Sequence, residues 1–557
     1  MESRPWHRHY DYNVPTTIRY PRISVPELLA LPANAVPDKP ATIFHGTELS
    51  FYQLRRLVLR MANALGELGV RKGDRVGIQL PTSPQYMIAY YAVLSLGAIV
   101  TNMNPMYTVD ELKYMVDHTG ATTIFASDLT MGNIRKLCEQ VEIPRVVITR
   151  VADFVDGTKP GSLPKLDLPE GWHHFSSLID NCTNTKRPRV EIQPEDPAQI
   201  QFTGGTTGVP KGATLTHANV ITAVLQCAQW GNATLGLRPI AERNVLSVLP
   251  YFHAYGNIVV MSTSLFNCTT QILLERFEID ALMDLMAGFE RIDFFPSVPT
   301  MINAVINHPR AEELGLDRKL GLLNSGAAPM PTELIDRIKD MGIFYGEGWG
   351  MSESTSLGIS NPVLGLSKAG SIGVPFPDTD AKLVDVETGT EEVPVGGPGE
   401  IVMKGPLVMK GYWDDPEKTA DQIRDGWLFT GDIAVRDEDD YFFIVDRKKD
   451  MIIAGGYNIY PREIDEVLYQ HPKIMDAVAV GINDEYRGET VKAFVVLKEG
   501  ETATDKEIIA FCREKLAAYK APKLVEFRDE LPKSAVGKVL RKILRQEEED
   551  KKKAKKG

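Results

Sequence analysis

The sequence is poor in features that mark several classes of protein. Its 557 residues contain only five cysteines, with no CxxC pair and no cysteine–histidine box at zinc-like spacing, so we expect no structural metal site. The amino terminus, MESRPWHRHYDYN, lacks the apolar core of a signal peptide, and no run of about 18 uncharged apolar residues occurs. These absences predict a cytoplasmic chain with reduced thiols and no integral membrane segment. They leave a peripheral membrane contact open.

Positive charge is also in deficit. The 62 basic residues face 74 acidic ones, which gives a net charge of −12. Bulk charge of this sign opposes loose binding to nucleic acid or anionic lipid, so we expect no nucleic-acid partner and local binding of any anionic ligand. The composition, 43% hydrophobic and 24% charged, is that of an ordinary globular protein. The length predicts about three or four packing units and excludes a single small binding module.

Short apolar strands alternate with helical periods from Ala41 onward. RVGIQL (75–80) reads as a strand, the apolar stretch 85–100 reads as a buried helix, and Thr108 is a candidate N-cap for the helix VDELKYMVDH. This alternation predicts a layered α/β architecture with largely parallel sheets. Glycine and proline are dense between residues 365 and 411, which predicts a small strand-rich subdomain there.

A charged junction, DRKKD (446–450), separates this part of the chain from a second mixture of helices and strands. We predict a large N-terminal domain over residues 1–448 and a small mobile α+β C-terminal domain over residues 449–546, with one helix beginning at Pro461. Residues 547–557, EEEDKKKAKKG, cannot bury apolar area and are predicted to be a disordered tail. A nucleic-acid arm is the alternative for these lysines, and the neighbouring acidic residues oppose it.

The strongest single motif is QFTGGTTGVPKG (201–212). Glycine N–H groups, threonine hydroxyls and one lysine in such a loop can surround a polyphosphate. The loop is not a Walker motif, because GxxxxGK[ST] is absent, and GxGxxG, HExxH and GxSxG are absent as well. Taken alone, the motif could also be a plain glycine-rich turn between strands.

The loop resembles the phosphate-binding signature of adenylate-forming enzymes, the superfamily of acyl-CoA synthetases, luciferases and adenylation domains. Gly204 replaces the usual serine, and TGGTTG is similar to the variant of bacterial long-chain fatty acid ligases. Six more blocks follow in the family's order, so that the resemblance covers about residues 41–545. It implies ATP and Mg²⁺ as cofactors and coenzyme A as a substrate. A carboxylic acid would react with ATP to form an acyl-adenylate, release pyrophosphate and pass to the CoA thiol.

The resemblance also implies which residues form the ATP or AMP site. The phosphates would contact Thr203, Gly204, Gly205, Thr206, Thr207, Gly208 and Lys211. The adenine and the α-phosphate would contact Gly326, Ala327, Ala328, Pro329, Glu347, Gly348, Trp349, Gly350, Met351 and Ser352, with Trp349 stacking on the base. Asp432 would bind the ribose, Arg447 the ribose or phosphate side, and Glu353 the metal. Without the resemblance, Glu353 would be a surface glutamate and Asp432 part of a common glycine–aspartate turn.

Two further residues have catalytic roles only through the resemblance. His253 would lie between the acyl pocket and the thiol entrance, whereas a buried core histidine is the default for that residue alone. Lys538 would bridge the substrate carboxylate and the α-phosphate, whereas alone it would be a solvated lysine. The acyl and CoA path would include Tyr255, Gly256, Val298, Ser325, Gly455 and Gly456. The hinge would be Lys449, followed by the loop IIAGGYN (452–458).

The motif blocks resemble those of medium- and long-chain fatty acid ligases. Aryl or other carboxylic acid CoA ligases share most of them and stay open as an alternative. A non-catalytic ligand-binding protein on the same scaffold is opposed by the joint presence of Lys211, Glu353, Asp432, Arg447 and Lys538. No basic residue stands out as a partner for a second carboxylate, which disfavours dicarboxylic acids. A homodimer is common among such enzymes, and the sequence leaves the oligomeric state open.

Overall fold

The computed structural model describes residues 4–154, 166–203, 210–326, 330–454, 457–484, 488–534 and 537–556. The strands are, in chain order, β1 (Pro40–Phe44), β2 (Thr47–Ser50), β3 (Arg75–Gln79), β4 (Ile99–Asn102), β5 (Thr123–Ser127), β6 (Arg145–Thr149), β7 (Trp172–His174), β8 (Pro197–Phe202), β9 (Gly212–Thr216), β10 (Asn244–Ser247), β11 (Thr270–Leu273), β12 (Ile292–Ser297), β13 (Leu320–Ser325), β14 (Phe344–Trp349), β15 (Ile359–Ser360), β16 (Val374–Pro375), β17 (Asp380–Val384), β18 (Pro398–Lys404), β19 (Gly411–Tyr412), β20 (Ile423–Arg424), β21 (Trp427–Arg436), β22 (Phe442–Arg447), β23 (Ile452–Ala454), β24 (Tyr457–Ile459), β25 (Ile474–Asp484), β26 (Gly488–Leu497) and β27 (Leu524–Phe527).

The α-helices are, in chain order, α1 (Glu27–Ala35), α2 (Phe51–Glu67), α3 (Pro84–Ser95), α4 (Val109–Thr119), α5 (Met131–Cys138), α6 (Phe175–Asn181), α7 (His217–Leu235), α8 (Thr263–Phe266), α9 (Ile279–Ala287), α10 (Pro299–Ile306), α11 (Leu316–Lys319), α12 (Thr332–Asp340), α13 (Pro416–Gln422), α14 (Pro461–Tyr469), α15 (Asp505–Lys515) and α16 (Arg541–Lys556). A π-helix, Tyr255–Ser262, precedes α8. Within the described residues, no helix combines the length and the apolar character needed to cross a lipid bilayer.

Two large sheets form the centre of the N-terminal part. One has eight strands in the order β19, β9, β8, β4, β3, β5, β6 and β7, and the other has nine in the order β16, β15, β14, β13, β12, β10, β11, β1 and β2. The central strands of both sheets pair in parallel, and antiparallel pairing is confined to the strands near their ends. This arrangement confirms the predicted layered α/β class.

Helix α3 is buried on every face, which explains why its sequence is apolar without a helical period. The side chain of Ser83 caps it by accepting a hydrogen bond from the N–H of Tyr86. The helix is shorter than the predicted stretch 85–100, because Gly97 at φ +66° ends the helical run and Ile99–Asn102 forms β4. Thr108 is the N-cap of α4, as predicted, with a complete capping box to Glu111.

A five-stranded antiparallel sheet of β17, β18, β20, β21 and β22 contains part of the predicted strand-rich subdomain. A separate sheet of β23 to β27 begins just after residue 450 and packs on α14 and α15 around its own buried apolar cluster. The stretch 452–458, predicted as a loop, contributes β23 and β24 to this sheet, because Ile452 and Ile459 are buried and pair with one another.

The charged C-terminal segment differs from the prediction of a disordered tail over residues 547–557. Residues 547–556 continue α16, so that prediction was wrong for this stretch. Ion pairs, rather than apolar burial, attach this part of α16 to the rest of the domain. Arg528 pairs with Glu547, and the buried Lys492 pairs with Glu548 at 2.8 Å. Lys551 adds a pair to Glu526 at 2.9 Å. Alternation of acid and base at helical spacing is therefore a helix signal here.

Candidate active site

The glycine-rich motif connects β8 to the antiparallel β9, at the carboxyl end of β8. The N–H of Thr203 donates to the carbonyl oxygen of Lys211 at 2.9 Å and closes the base of this connection. The ammonium group of Lys211 lies 4.7 Å from the centre of the Tyr412 ring, a cation–π geometry that directs it toward β19. The predicted phosphate contacts Gly204, Gly205, Thr206, Thr207 and Gly208 lie outside the described residues.

Glu353 is buried, which rules out the surface glutamate that its sequence alone would suggest. The Tyr412 hydroxyl donates to its Oε1 at 2.8 Å. Burial raises the pKa of the Glu353 carboxyl, while the Tyr412 hydrogen bond and the charges of Lys211 and Arg447 oppose that rise. Among the described residues, no group of three or more His, Cys, Asp and Glu side chains could hold a metal. A single hard carboxylate beside two cations fits Mg²⁺ that is also bound by phosphate oxygens.

Asp432 connects three of the predicted nucleotide residues. The indole N–H of Trp349 donates to its Oδ2 at 2.8 Å, and Nε of Arg447 lies 3.1 Å from its Oδ1. Asp432 and Arg447 face each other across β21 and β22. Sequence analysis placed Asp432 just after a turn, but it lies within β21, where Gly431 at φ +74° and a shift in register against β18 produce a bulge.

The predicted adenine segment begins in β14 and ends at the short 3-10 helix Ser352–Ser354. Gly350 must be glycine, because a Cβ there would lie 1.5 Å from the carbonyl oxygen of Ser356. Glu347 is buried, and burial raises the pKa of its carboxyl to about 7, with the Arg462 charge opposing that rise. The remaining predicted residues of this segment, Gly348 and Met351, lie in β14 and in the turn that follows it. Ala327, Ala328 and Pro329 lie outside the described residues.

His253 lies in a turn that leads into the π-helix, six residues beyond the end of β10. Its Nδ1 accepts a hydrogen bond from the N–H of Tyr255 at 3.3 Å. Burial, together with the positive charge of Lys538, lowers the pKa of His253 to about 4. The imidazole is therefore neutral at physiological pH, and a residue of the C-terminal domain lies close enough to influence it.

The residues predicted for the acyl and CoA path differ in their surroundings. Tyr255 donates from its hydroxyl to Oδ1 of Asn324, and a Cβ on Gly326 would lie 3.0 Å from the Tyr255 ring. Ser325 and Val298 are buried nearby, at the end of β13 and at the N-cap of α10. Gly256 instead packs on backbone, since a Cβ there would lie 2.2 Å from the Pro250 carbonyl oxygen. Gly455 and Gly456 lie outside the described residues.

Lys538 reaches the same cluster from the C-terminal domain. Gly537, at φ +72°, approaches α10 so closely that a Cβ would lie 2.9 Å from the Thr300 hydroxyl oxygen. Burial lowers the pKa of Lys538 to about 7, and the Arg447 charge adds to this, whereas Asp432 and Asp450 oppose it. Lys538 is therefore close enough to Asp432, Arg447 and His253 for their charges to interact. The solvated lysine that its sequence alone would suggest is ruled out.

Lys449, the predicted hinge, lies exposed between hydrogen-bonded neighbours. On its N-terminal side, the N–H of Lys448 donates to the Gly431 carbonyl oxygen at 2.9 Å. On its C-terminal side, Arg545 of α16 donates to the carbonyl oxygens of Lys449 and Asp450, at 3.2 and 3.1 Å. Arg545 and Tyr412 are functional candidates that sequence reasoning missed, because neither belongs to a motif block used for the predictions.

A narrow cavity of about 60 Å³ lies between α7, the π-helix and the parallel strands β12 to β14. Asn324 and Gly346 line the end next to Ser325 and Glu347. Further along, the walls are mainly apolar, with Trp230, Leu235, Val259, Phe294, Leu322 and Phe376. The cavity therefore lies beside residues predicted for the nucleotide site, and its walls suit an apolar group.

Family models and individual relatives both assign this chain to one family. The family model described as AMP-binding enzyme matches residues 30–413, and the model described as AMP-binding enzyme C-terminal domain matches residues 463–538. The chain belongs to the AMP-binding enzyme family, which confirms the resemblance stated from its motifs. It is similar to a long-chain-fatty-acid–CoA ligase of Bacillus subtilis, with 40% identity over 98% of this chain and 99% of the relative.

A second relative has a different type of substrate in its name. A feruloyl-CoA synthase of Amycolatopsis is 36% identical over 91% of this chain and 96% of its own length. Among solved structures, ATP-bound MatB of Rhodopseudomonas palustris is 29% identical, with a TM-score of 0.83 over 95% of this chain and 99% of MatB. The structure of MatB without ligand gives a TM-score of 0.72 over the same shares. The arrangement of the present chain is therefore more similar to the ATP-bound form.

Proposed function

We propose that this protein is an ATP-dependent, AMP-forming acid–CoA ligase that converts a medium- or long-chain fatty acid to its acyl-CoA. One arrangement supports the proposal: Lys211 lies over the ring of Tyr412, which binds Glu353, and Lys538 of the C-terminal part is close enough to the Asp432–Arg447 pair for their charges to affect its pKa. Such an arrangement offers cations from two sides to one nucleotide. The proposed domains are residues 1–448, with the ATP and acyl sites, and residues 449–546, which carry Lys538.

In the first half-reaction, an oxygen of the substrate carboxylate attacks the α-phosphorus of ATP. A new P–O bond forms, the bond to the β-phosphate oxygen breaks, and pyrophosphate leaves with the electron pair. Lys538 would stabilise the negative charge shared by the carboxylate and the α-phosphate, and Lys211 that of the departing phosphates. Asp432 retains acceptor capacity for the ribose hydroxyls, because it receives only one contact each from Trp349 and Arg447 at its two oxygens.

In the second half-reaction, the CoA thiol attacks the acyl carbonyl carbon, and AMP leaves as the C–O bond of the mixed anhydride breaks. The thiol proton must leave during this step, and neutral His253, beside the proposed thiol entrance, suits a hydrogen-bonding role. Because Lys538 would occupy the site during adenylation, we propose that rotation about Lys449 removes it and brings Gly455 and Gly456 toward the pantetheine path.

Mg²⁺, when bound with ATP, would neutralise phosphate charge at the site. Glu353 would hold it, because a carboxylate is a ligand that Mg²⁺ prefers. The Tyr412 hydroxyl fixes one oxygen of Glu353 at 2.8 Å and leaves the other free of that bond.

The apolar walls of the cavity support an acyl chain as its occupant. The polar side chains along it are largely satisfied: Thr234 donates to the Gly231 carbonyl oxygen, Thr263 to that of Ile258, and Asp293 pairs with Arg238 and Arg291. A dicarboxylic acid would find no unpaired cation among these groups. The feruloyl-CoA synthase at 36% identity keeps an aryl acid as the second candidate.

A panel of acids graded in length and aromaticity, scored by AMP release with CoA, tests the acyl assignment. We expect medium- and long-chain fatty acids to give the highest kcat/KM. A preference for ferulate-like aryl acids over every fatty acid would replace the proposal with its alternative. ATP/pyrophosphate exchange tests the enzyme class itself, because a ligand-binding protein without activity would give no exchange with any acid.

A substitution at Gly231 tests whether the acyl chain occupies the cavity. Gly231 lies in α7, lines the cavity, and a Cβ built on it meets no heavy atom within 4 Å. We expect Gly231→Leu to fill this space and lower kcat/KM for the longest acids about tenfold or more, while shorter acids keep most of their rate. Leucine favours helix over glycine, so a loss of stability is not expected. The measurement is kcat/KM across the acid panel.

Gly132→Leu is a matched control, because Gly132 also lies in a helix with open space around its Cβ and does not line the cavity. Its chain-length profile should equal that of the wild type. An unchanged profile in Gly231→Leu would mean that the acyl chain lies elsewhere.

The pKa of Lys538, lowered to about 7, predicts proton uptake on ATP binding. At pH 8 the lysine is mostly neutral before ATP binds, and the phosphates favour its charged form and raise its pKa. Calorimetry at pH 8, in two buffers of different ionisation enthalpy, should show a buffer-dependent heat in the wild type and a smaller one in Lys538→Ala. Equal heats in both buffers for the wild type would contradict this assignment.

The proposal extends to the setting of the enzyme. We propose a cytoplasmic location and a peripheral membrane contact, because long-chain fatty acids partition into lipid. Leu237 and Ile240 are exposed just beyond α7, the helix that lines the cavity, which supports such a contact. A homodimer is proposed only by analogy with similar enzymes, and sedimentation of the purified protein would test it.

A further inference from the structure

Arg462, in the first turn of α14, joins the two domains at a point that the proposed chemistry does not use. Its Nη1 donates to the carbonyl oxygen of Ile444 at 2.6 Å, and its backbone N–H donates to Oδ2 of Asp446 at 2.8 Å. Ile444 and Asp446 belong to β22, before Lys449, whereas Arg462 follows it. Two hydrogen bonds therefore cross the proposed hinge.

The surroundings of Arg462 hold its side chain in this position. Glu466, one helical turn further along α14, pairs with its Nε at 3.1 Å, and the side chain is only 13% exposed. Asp446 is buried and also accepts the N–H of Arg447 at 2.7 Å, so the acceptor is fixed on the N-terminal side. The contact is thus formed between two ordered groups, which lowers the entropy lost in making it.

Arg462 also lies close to the nucleotide site. The charge of Arg462 is the largest influence opposing the rise that burial causes in the pKa of Glu347, which lies within β14. Glu347 is one of the residues that the family resemblance assigns to ATP. The closed arrangement therefore provides Arg462 with two hydrogen-bond partners in the N-terminal domain, a carbonyl oxygen and a capping carboxylate, and brings its charge near a buried acid.

Rotation about Lys449 would break these contacts. Hydrogen bonds weaken steeply when the donor and acceptor move apart or lose alignment, and Arg462 moves with the C-terminal domain while Ile444 and Asp446 do not. Interactions made in only one of two conformations shift the equilibrium toward that conformation. The contacts of Arg462 thus favour the arrangement in which Lys538 lies in the site.

We propose that Arg462 is a positioning residue that stabilises the adenylation conformation. It thereby sets the fraction of the enzyme that is ready for each of the two half-reactions. This inference rests on the proposed function, because it assigns the closed arrangement to adenylation. Arg462 acts through the position of Lys538 and touches neither the substrate nor the reacting atoms. Its loss should therefore slow one half-reaction without slowing the other.

The test measures the half-reactions separately in Arg462→Ala. ATP/pyrophosphate exchange should fall about tenfold, in line with the loss of one hydrogen bond from a charged donor. Thioester formation from isolated acyl-adenylate and CoA should stay equal or become faster. Arg462→Lys keeps the charge and one donor, so it should recover part of the exchange rate. Arg513→Ala, an exposed arginine of α15, is the control and should leave both rates unchanged.

Equal losses in both half-reactions of Arg462→Ala would show a merely structural role and overturn the proposal, as would no loss in either. Spin labels on cysteines introduced at the exposed residues Glu142 and Glu514 give a second readout, with Cys138 and Cys268 replaced by serine. With ATP alone, Arg462→Ala should broaden the distance distribution relative to the parent protein. An unchanged distance distribution would overturn the proposal that Arg462 holds the two domains together.

The spin-label readout also separates this inference from the proposed function. A wild type that exchanges pyrophosphate with no acid would overturn the function. The role of Arg462 in holding the two domains together would then be tested by the label distances alone.

Discussion

Lys538→Ala should lower acyl-adenylate formation by orders of magnitude while ATP binding persists. The charges of Lys538 and of His253, Asp432 and Arg447 influence one another, and the proposed function has Lys538 bridge the substrate carboxylate and the α-phosphate. Removal of one preorganised group that stabilises developing charge commonly costs about 10² to 10³ in rate. A cation delivered only in the closed arrangement stabilises the transition state more than bound ATP, so the loss should fall on kcat.

ATP/pyrophosphate exchange with a good fatty acid measures the rate, and equilibrium binding of ATP measures affinity. Lys542→Ala is the matched control, because Lys542 is an exposed lysine in the same segment. It should exchange at the wild-type rate. Undiminished adenylation in Lys538→Ala would remove this residue from the mechanism, whatever its position.

Lys449→Pro should leave adenylation nearly intact and strongly impair thioester formation. Proline fixes its own φ and restricts the residue before it, so the dihedral change of a rotation at this position is blocked. The closed arrangement should survive, because its described hydrogen bonds at the junction start from the N–H groups of Lys448, Asp450 and Met451. Arg545 adds bonds to the carbonyl oxygens of Lys449 and Asp450, which proline retains.

The measurement compares pyrophosphate exchange with thioester formation from preformed acyl-adenylate, and we expect the second rate to fall by at least tenfold more than the first. Lys449→Ala removes the same side chain without restricting φ, so only the difference between the two variants reports on the hinge. Equal losses of both half-reactions in Lys449→Pro would place the pivot elsewhere.

The sequence predicted the fold class well because the hydrophobic pattern is local. Strands such as β3 and β5 are short apolar runs, and Thr108 caps α4 with a capping box that can be read from four consecutive residues. The hydrophobic pattern did not predict elements whose structure depends on tertiary contacts. The π-helix Tyr255–Ser262 has no sequence signal that separates it from an α-helix, and α16 is stabilised by ion pairs to Lys492 and Arg528 that are distant in sequence.

Candidate residues of the site were predicted mainly from the family resemblance, since each one alone had a plainer interpretation. The structure was needed to show that Glu353 is buried and that Lys538 is half-buried, each close to charged groups. The sequence could not show that Trp349 donates to Asp432, because 83 positions separate them. Arg462 and Arg545 could not be predicted either, because their partners are mainly backbone carbonyl oxygens across the hinge, which have no signature in the sequence.

The most direct test of the account is a crystal structure of the protein with ATP and no CoA. The account predicts that the Nζ atoms of Lys211 and Lys538 both lie within hydrogen-bond distance of phosphate oxygens of the same nucleotide, about 2.7 to 3.2 Å. It also predicts that Asp432 accepts hydrogen bonds from the ribose. A nucleotide bound at Lys211 with Lys538 beyond hydrogen-bond distance of its phosphates, and with the hinge still in its present arrangement, would contradict it.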